Sequence, residues 1–420
     1  MVETVFRNAR VTPEGPLADL AVGEGKFLRV APAAPAPPGP GEVDLEGRVV
    51  LPGFIESHIH LDKAFLEERR PNLSGTLPDA IAITLELKRA VTQADIRGRA
   101  ERALRLLLRH GTTRARVQVE VDPIVRLRGM EAALELKEAY RGTFDLQLVV
   151  FPQEGIERQP GTEDLMREAM RMGGDAVGGV PYNDLDAERH LDIVFRMAGA
   201  FGKGVDLHLD FSDSPGDRRI ESVVRRTRAA GLQGKVAVGH LTSLGSMDDA
   251  TGARIVELIA GAGIHVLPLP ATDLFLCGRG PAPPRHRSLT RVKELLRAGV
   301  NVSIASNNIR NAFTPSGRGD LLEIGLLLAC VAHMSGASER VLIPPMFTVN
   351  AAKVLGVEDR YGLAPGKDAD FVVLDTFSYN DIVIDQPEKR YVVKGGRVVV
   401  ENLRETRWAG EYGSSAGVRP

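Results

Sequence analysis

Short alternations of apolar and polar residues, interrupted by glycine and proline, open and close the chain. Over residues 1–52 this pattern predicts small β-strands, with PAAPAPPGPGE at 32–42 too turn-rich for a helix and read as a loop between them. The same style returns from about residue 365 with ADFVVLD and then KRYVVKGGRVVVEN, where Gly395 and Gly396 make the turn of a hairpin. From 53 to 364 the pattern changes. Strand-like runs LQLVVF (146–151), GVDLHLD (204–210), KVAVGH (235–240), IHVLPL (264–269) and NVSIAS (301–306) are separated by amphipathic stretches such as IVFRMAGAF and RIVELIAGAG. Alternation of this length predicts parallel strands joined by crossover helices. The two β-rich ends are expected to meet in one discontinuous β-sandwich beside this α/β core. The tail GEYGSSAGVRP (410–420) lacks apolar periodicity and is expected to be loosely held.

Composition narrows the function classes. A formal net charge of −2 over 420 residues, with acids and bases interspersed, gives no basic surface for nucleic acid or an anionic membrane. The pairs Arg218–Arg219 and Arg225–Arg226 sit among helix formers and read as solvated helix faces. Cys277 and Cys330 have neither metal-ligand spacing nor a disulfide framework, which suits a reducing cytoplasm. The opening MVETVFRNARVT has no cationic region followed by an apolar one, and no run reaches the ~18–20 apolar residues of a spanning helix. The expectation is a cytoplasmic protein that takes a small-molecule substrate, with no nucleic-acid or membrane partner and with homo-oligomer formation left open.

The most informative chemistry lies in LPGFIESHIHLDKAF, residues 51–65. His58 and His60 stand one residue apart after an apolar run, so on a strand they share a face and reach one metal ion at the mouth of a sheet or barrel. This differs from the helical HExxH pair. Two further histidines, His208 and His240, end successive predicted strands.

The 51–65 passage resembles the strand-1 signature of the amidohydrolase superfamily, and its HLD continuation looks most like the cytosine deaminase branch. GTT (111–113), FPQEGI (151–156), DLHLD (206–210), GHLTS (239–243), LTRVKELL (289–296) and YGLAPGKDADFVVLD (361–375) follow in that family's order and span most of the chain. The resemblance implies a (β/α)8 TIM-type barrel over 53–364, with a β-sandwich from 1–52 and 365–420 and an active site at the strand C-terminal ends. It further implies that His208 is a metal ligand from strand 5, and that His240 contacts the metal-bound hydroxide or the substrate. Gln153 matches a glutamine that reads the amide-like edge of a pyrimidine. Lys63, after HLD, either neutralises an anionic group or pairs with a neighbouring carboxylate.

The departures from the family pattern carry equal weight. Its metal-binding strand-8 aspartate aligns with Asn307, the following substrate-binding aspartate with Asn308, the catalytic glutamate with Phe211, and a histidine after GTT with Gln118. Asparagine offers a neutral oxygen to a metal but is no general base at neutral pH. What remains is His58, His60 and His208 with Asn307 around one divalent ion, zinc or iron, a set able to bring a bound water to a pKa of about 7. Proton transfer then falls to His240, with Asp210, placed by alternation on the face of His208, and Asp213 as the other candidates. A dication ringed by Asn307, Asn308 and Gln118 favours a neutral or anionic ligand. Phe211 and Phe313 add apolar ring faces for a flat heterocycle or alkyl group, Phe313 standing where the family has tryptophan.

Two functions remain open. One is a metal-dependent amidohydrolase that cleaves a C–N bond of a cyclic amide, imide or amino-substituted heterocycle by attack of metal-bound hydroxide. The other is a non-catalytic amidohydrolase-like barrel that binds a small ligand. Several imidazoles kept together favour the enzyme. Phe211 and Asn307 carry no protons, so ordinary cytosine deaminase activity is not expected: an ammonia assay with cytosine should show nothing near the ~10 per second typical of enzymes.

Overall fold

The computed structural model describes residues 2–279 and 288–407. The N-terminal strands β1 (Thr4–Ala9), β2 (Ala18–Gly23), β3 (Lys26–Pro32) and β4 (Val43–Asp44) form one sheet in the order β3-β2-β1-β4. The proline-rich stretch after Pro32 is the loop leading to β4. Strand β5 (Val49–Pro52) instead joins the chain's other end.

The barrel strands are β6 (Phe54–Ile59), β7 (Thr112–Glu120), β8 (Asp145–Phe151), β9 (Ala176–Gly179), β10 (Gly204–Leu209), β11 (Val236–His240) and β12 (His265–Leu267). They lie in sequence order in one parallel sheet, with helices such as Gln93–Arg109 and Ala187–Phe201 crossing between them. Closure comes from residues 301–307, through single parallel bridges Val266↔Val302 and Ile59↔Asn307. NVSIAS was expected as a full strand. Its ladder is interrupted because Ser306 N donates to the Glu56 carboxylate (3.0 Å) and Ile304 N to the Met346 carbonyl (3.2 Å). The short β9 escapes a sequence reading because two of its four residues are glycine.

Strands β13 (Phe371–Leu374), β14 (Lys389–Lys394) and β15 (Arg397–Glu401) complete a sheet in the order β15-β14-β13-β5. Gly395 and Gly396, at φ 54° and 75°, make the β14–β15 turn, which needs positive φ at both positions. The sheets from the two chain ends share a core in which the Phe371 ring meets Phe6 edge-on at 4.9 Å and Phe27 at 5.8 Å. The tail at 410–420 lies outside the described residues. Arg226 pairs with Glu188 and Asp192 on helix surfaces, and both cysteines are free. Among the described residues no helix is long and apolar enough to cross a membrane.

The barrel's outward residues, among them Val117, Val119, Leu148, Leu207 and Val238, pack in the main apolar core. Its interior is polar. Along β7 the alternate positions Arg114, Arg116, Gln118 and Glu120 all reach polar partners, while Ala115, Val117 and Val119 enter the apolar core. Arg114, at the base, bonds Asp370 (2.7 Å), Asp368 (2.6 Å) and Asp145 (3.1 Å), and so ties the barrel to the terminal sheet. Lys394 reaches Asp145 and Asp370 at 2.7 Å each. Removing one partner of a buried ion pair leaves an uncompensated charge, at ~3–5 kcal/mol. Arg114→Ala should therefore lower unfolding stability by about that amount in urea titrations, and an unchanged midpoint would refute this role.

Candidate active site

A bulge aims the first two histidines. Between Glu56↔Ala115 and Ile59↔Val117, three steps along β6 oppose two along β7. Such bulges re-aim side chains next to active sites. Here His58 and His60 converge with His208 of β10, with Nε2 to Nε2 distances of 3.1 Å (His58–His208) and 2.9 Å (His60–His208). All three are buried. Burial, with the neighbouring Lys63 and imidazoles, holds His60 and His208 well below the usual histidine pKa, so both are neutral, the form that ligates a metal. Nitrogens at ~2.0–2.1 Å from one tetrahedral ion stand ~3.3 Å apart, close to these spacings.

Beneath them lies Asp206, which sequence reading did not single out although it shares the His208 face two residues back. Its Oδ1 stands 3.1 Å from His58 Nδ1 and accepts from Gln118 Nε2 (3.1 Å), while Oδ2 accepts from Arg116 (3.3 Å). Burial pushes this carboxyl up, but His58 and Arg116 outweigh it and hold Asp206 below the usual range. A carboxylate on Nδ1 fixes the tautomer that turns Nε2 toward a metal.

Asn307 closes the ring. Its backbone pairs with His58 and His60 at 3.2 and 2.8 Å, it adopts φ 60°, and its buried Oδ1 has no protein partner. Its Nδ2 donates to Thr272 Oγ1 (3.1 Å). Three convergent imidazoles beside an unpartnered amide oxygen fit a divalent ion. Glu120, Asp122 and Glu154 also stand close together, but they surround the Lys88 ammonium at 2.7, 2.8 and 2.7 Å. Burial alone would lower the Lys88 pKa; the three carboxylates drive it up, and Lys88 is their cation.

His240 pairs in register with the outward-facing Leu209, yet φ 68° at the strand end swings it into the site. Its Nδ1 meets Asp273 Oδ1 at 2.7 Å, and Asp273 Oδ2 accepts from Leu269 N (3.0 Å). Burial lowers the His240 pKa despite Asp273. Phe211 stacks on this imidazole, with centroids 3.9 Å apart. Asp273 was missed because it lies in the helix Pro270–Leu276, with no spacing that links it to His240.

Asp210 corrects an expectation. Alternation was expected to put it on the face of His208, but it follows β10 with φ 46° and caps the helix Ile220–Ala229, accepting from Arg219 N (3.2 Å) and Ile220 N (3.0 Å). Burial pushes its carboxyl up to about 6. Asp213 bonds Ser288 and Gly278 N, and neither aspartate lines the cavity.

That cavity has His60, His208, His240, Asn307 and Asn308 in its lining. Lys63, Gln153, Tyr182, Thr272, Phe211 and Phe313 complete its walls. Lys63 donates to Gln153 Oε1 and stands 3.8 Å from Glu120, so its ammonium has both a cavity side and a carboxylate neighbour.

The amidohydrolase family profile matches residues 41–93 and 68–400. The chain belongs to the amidohydrolase family. This amidohydrolase is 29% identical over 407 residues to N-isopropylammelide isopropyl amidohydrolase of Pseudomonas sp. (strain ADP), covering 95% of this chain and 98% of that one. It is 30% identical over 394 residues to pterin deaminase of Rhizobium rhizogenes, covering 93% and 89%. The crystal structure of 5-methylcytosine deaminase from Klebsiella pneumoniae, liganded with 5-fluorocytosine, superposes with a TM-score of 0.92 at 32% identity, over 96% of this chain and 99% of that one. These relatives agree with the cytosine deaminase-like branch.

Elemental analysis should find a divalent metal in the wild type and almost none in His58→Ala or His208→Ala. Asp206→Asn should weaken metal affinity ~10–100-fold in chelator competition. Unchanged metal in both histidine variants would exclude the three-imidazole site.

Proposed function

We propose that this amidohydrolase cleaves a C–N bond of a cyclic amide, imide or amino-substituted heterocycle, with His240 moving the proton. The supporting observation is the His240–Asp273 pair, buried beside three convergent imidazoles, with no carboxylate in the cavity lining among the described residues. A divalent ion held by His58, His60, His208 and Asn307, zinc or iron, would acidify a water and polarise the sp² carbon under attack.

The rest of the chemistry belongs to the chain's own groups. With Nδ1–H committed to Asp273, His240 has its Nε2 lone pair left to accept the proton of the attacking water and return it to the departing nitrogen. Asp273, on Nδ1, steadies the imidazolium that forms, as the third member of a catalytic triad does. Phe211, standing where the family has its glutamate, carries no proton; its stacking keeps the imidazole in one rotamer and shields it from water. Tyr182, Phe211 and Phe313 offer ring surfaces to a planar substrate, and Gln153 and Asn308 offer polar edges.

A screen of cyclic ureas, imides and amino-heterocycles for released ammonia or amine identifies the substrate. With it, His240→Asn and Asp273→Asn should each lose ~10²–10⁴-fold in kcat with metal retained, and Asp210→Asn should stay close to wild type. Full turnover in His240→Asn together with loss in Asp210→Asn would give the proton to the aspartate instead.

A further inference from the structure

Resting on the hydrolase reading above, we propose that the substrate is an oxo-rich heterocyclic imide bound as its anion, because the cavity meets a ligand with N–H donors and positive charge.

The orientation of each amide follows from its partners. Asn311 Oδ1 accepts two backbone N–H groups, from Phe313 (3.0 Å) and Thr314 (3.1 Å). Its Nδ2 therefore donates, and does so to Asn308 Oδ1 at 2.7 Å. Asn308 is left with its NH₂ group, which makes only a long 3.4 Å contact with Thr272 Oγ1. Thr272 Oγ1 in turn accepts from Asn307 Nδ2 (3.1 Å) and shares a 2.6 Å bond with Thr314 Oγ1. On the opposite wall Gln153 Oε1 accepts from the Lys63 ammonium, so Gln153 also offers its NH₂ group.

The Lys63 ammonium lines the cavity and also has Asp62, Glu120 and Glu154 as carboxylate neighbours. Of these, Glu120, 3.8 Å away, is bound more closely by Lys88 at 2.7 Å. Among the described residues no carboxylate lines the cavity; of its acceptors, Asn307 Oδ1 and the His60 and His208 imidazoles face the metal position, His240 Nε2 is the proton carrier, and the Tyr182 and Thr272 hydroxyls can accept or donate. A ring edge with an exocyclic amine would set N–H against N–H at Asn308 and Gln153, leaving buried donors unpaired. A ring edge on which two carbonyl oxygens share a negative charge gives each donor an acceptor. It also restores the negative charge absent at Asn307 and Asn308, opposite Lys63 and a bound dication.

Three rings of one size separate the terms by isothermal titration calorimetry on metal-loaded protein: barbiturate, anionic at neutral pH; uracil, dioxo and neutral; and cytosine, with an amine edge. Affinity should fall in that order, by ~100-fold or more from barbiturate to cytosine. Lys63→Met and the near-isosteric Asn308→Asp should each weaken barbiturate ~10–100-fold, and Asn308→Asp should narrow the preference over cytosine. Barbiturate binding no tighter than cytosine, or an order unaltered in both variants, overturns the inference. Binding is read without turnover. Protein that follows this order but hydrolyses no ring in the screen refutes the hydrolase reading alone, and protein that hydrolyses a heterocycle yet prefers cytosine refutes this inference alone.

Discussion

Asp206 is buried inside the barrel with both oxygens engaged, His58 and Gln118 on one and Arg116 on the other, and the site above depends on that arrangement being complete. A buried carboxylate is tolerated only when paired. Arg116 is itself held by Gln147 Oε1 (3.0 Å) and the Val354 carbonyl (2.6 Å), so one ion pair links β7, β8, β10 and the helix Val349–Leu355. Apolar replacement of such a pair is often neutral or even stabilising. Stability is therefore a poor reason for its presence, and orientation of His58 Nε2 is a better one.

The same strand sorts charge along the barrel. At its base Arg114 collects carboxylates from the terminal sheet; at its top Glu120 joins Asp122 and Glu154 around Lys88. The acids near the cavity are thus consumed by a lysine that does not line it, while Lys63 does line it. In a relative that keeps aspartates at the positions of Asn307 and Asn308 the metal's charge is partly cancelled by the protein. With Asn307 and Asn308 in those places, the charge of a bound dication would be left for a ligand to cancel.

What was legible in the sequence was what local periodicity encodes. The HxH pair, the strand that carries His208 and the hairpin at Gly395–Gly396 follow from period-2 patterning and turn chemistry, whereas the order of motifs was read from the family resemblance. Asp206 obeyed the same period and was overlooked beside the histidine. The failures share a cause: each turns on backbone leaving its regular path. Positive φ carries Asp210 away from the face of His208 and brings His240 onto it, the reverse of what alternation alone predicts. The bulge in β6 and the broken ladder at 301–307 depend on partners distant in sequence, Glu56 and Met346 among them. Asp273 had no local signal at all.

These irregularities also bear on how the proposed mechanism would work without the family's glutamate. A proton carrier at Phe211 would stand on the strand path, in line with His208. In the proposed mechanism the carrier is His240, swung inward from the neighbouring strand, and it needs its own support because a histidine in that strained conformation is costly unless its surroundings over-determine it. Asp273 from below and the Phe211 ring stacked at 3.9 Å supply that support. Glutamate in place of Phe211 would remove the stacking that holds the imidazole and add a carboxylate to a cavity that has none. The Phe211 ring and the Asp273 carboxylate therefore act on His240 together, and losing either leaves it less well placed than the present arrangement does.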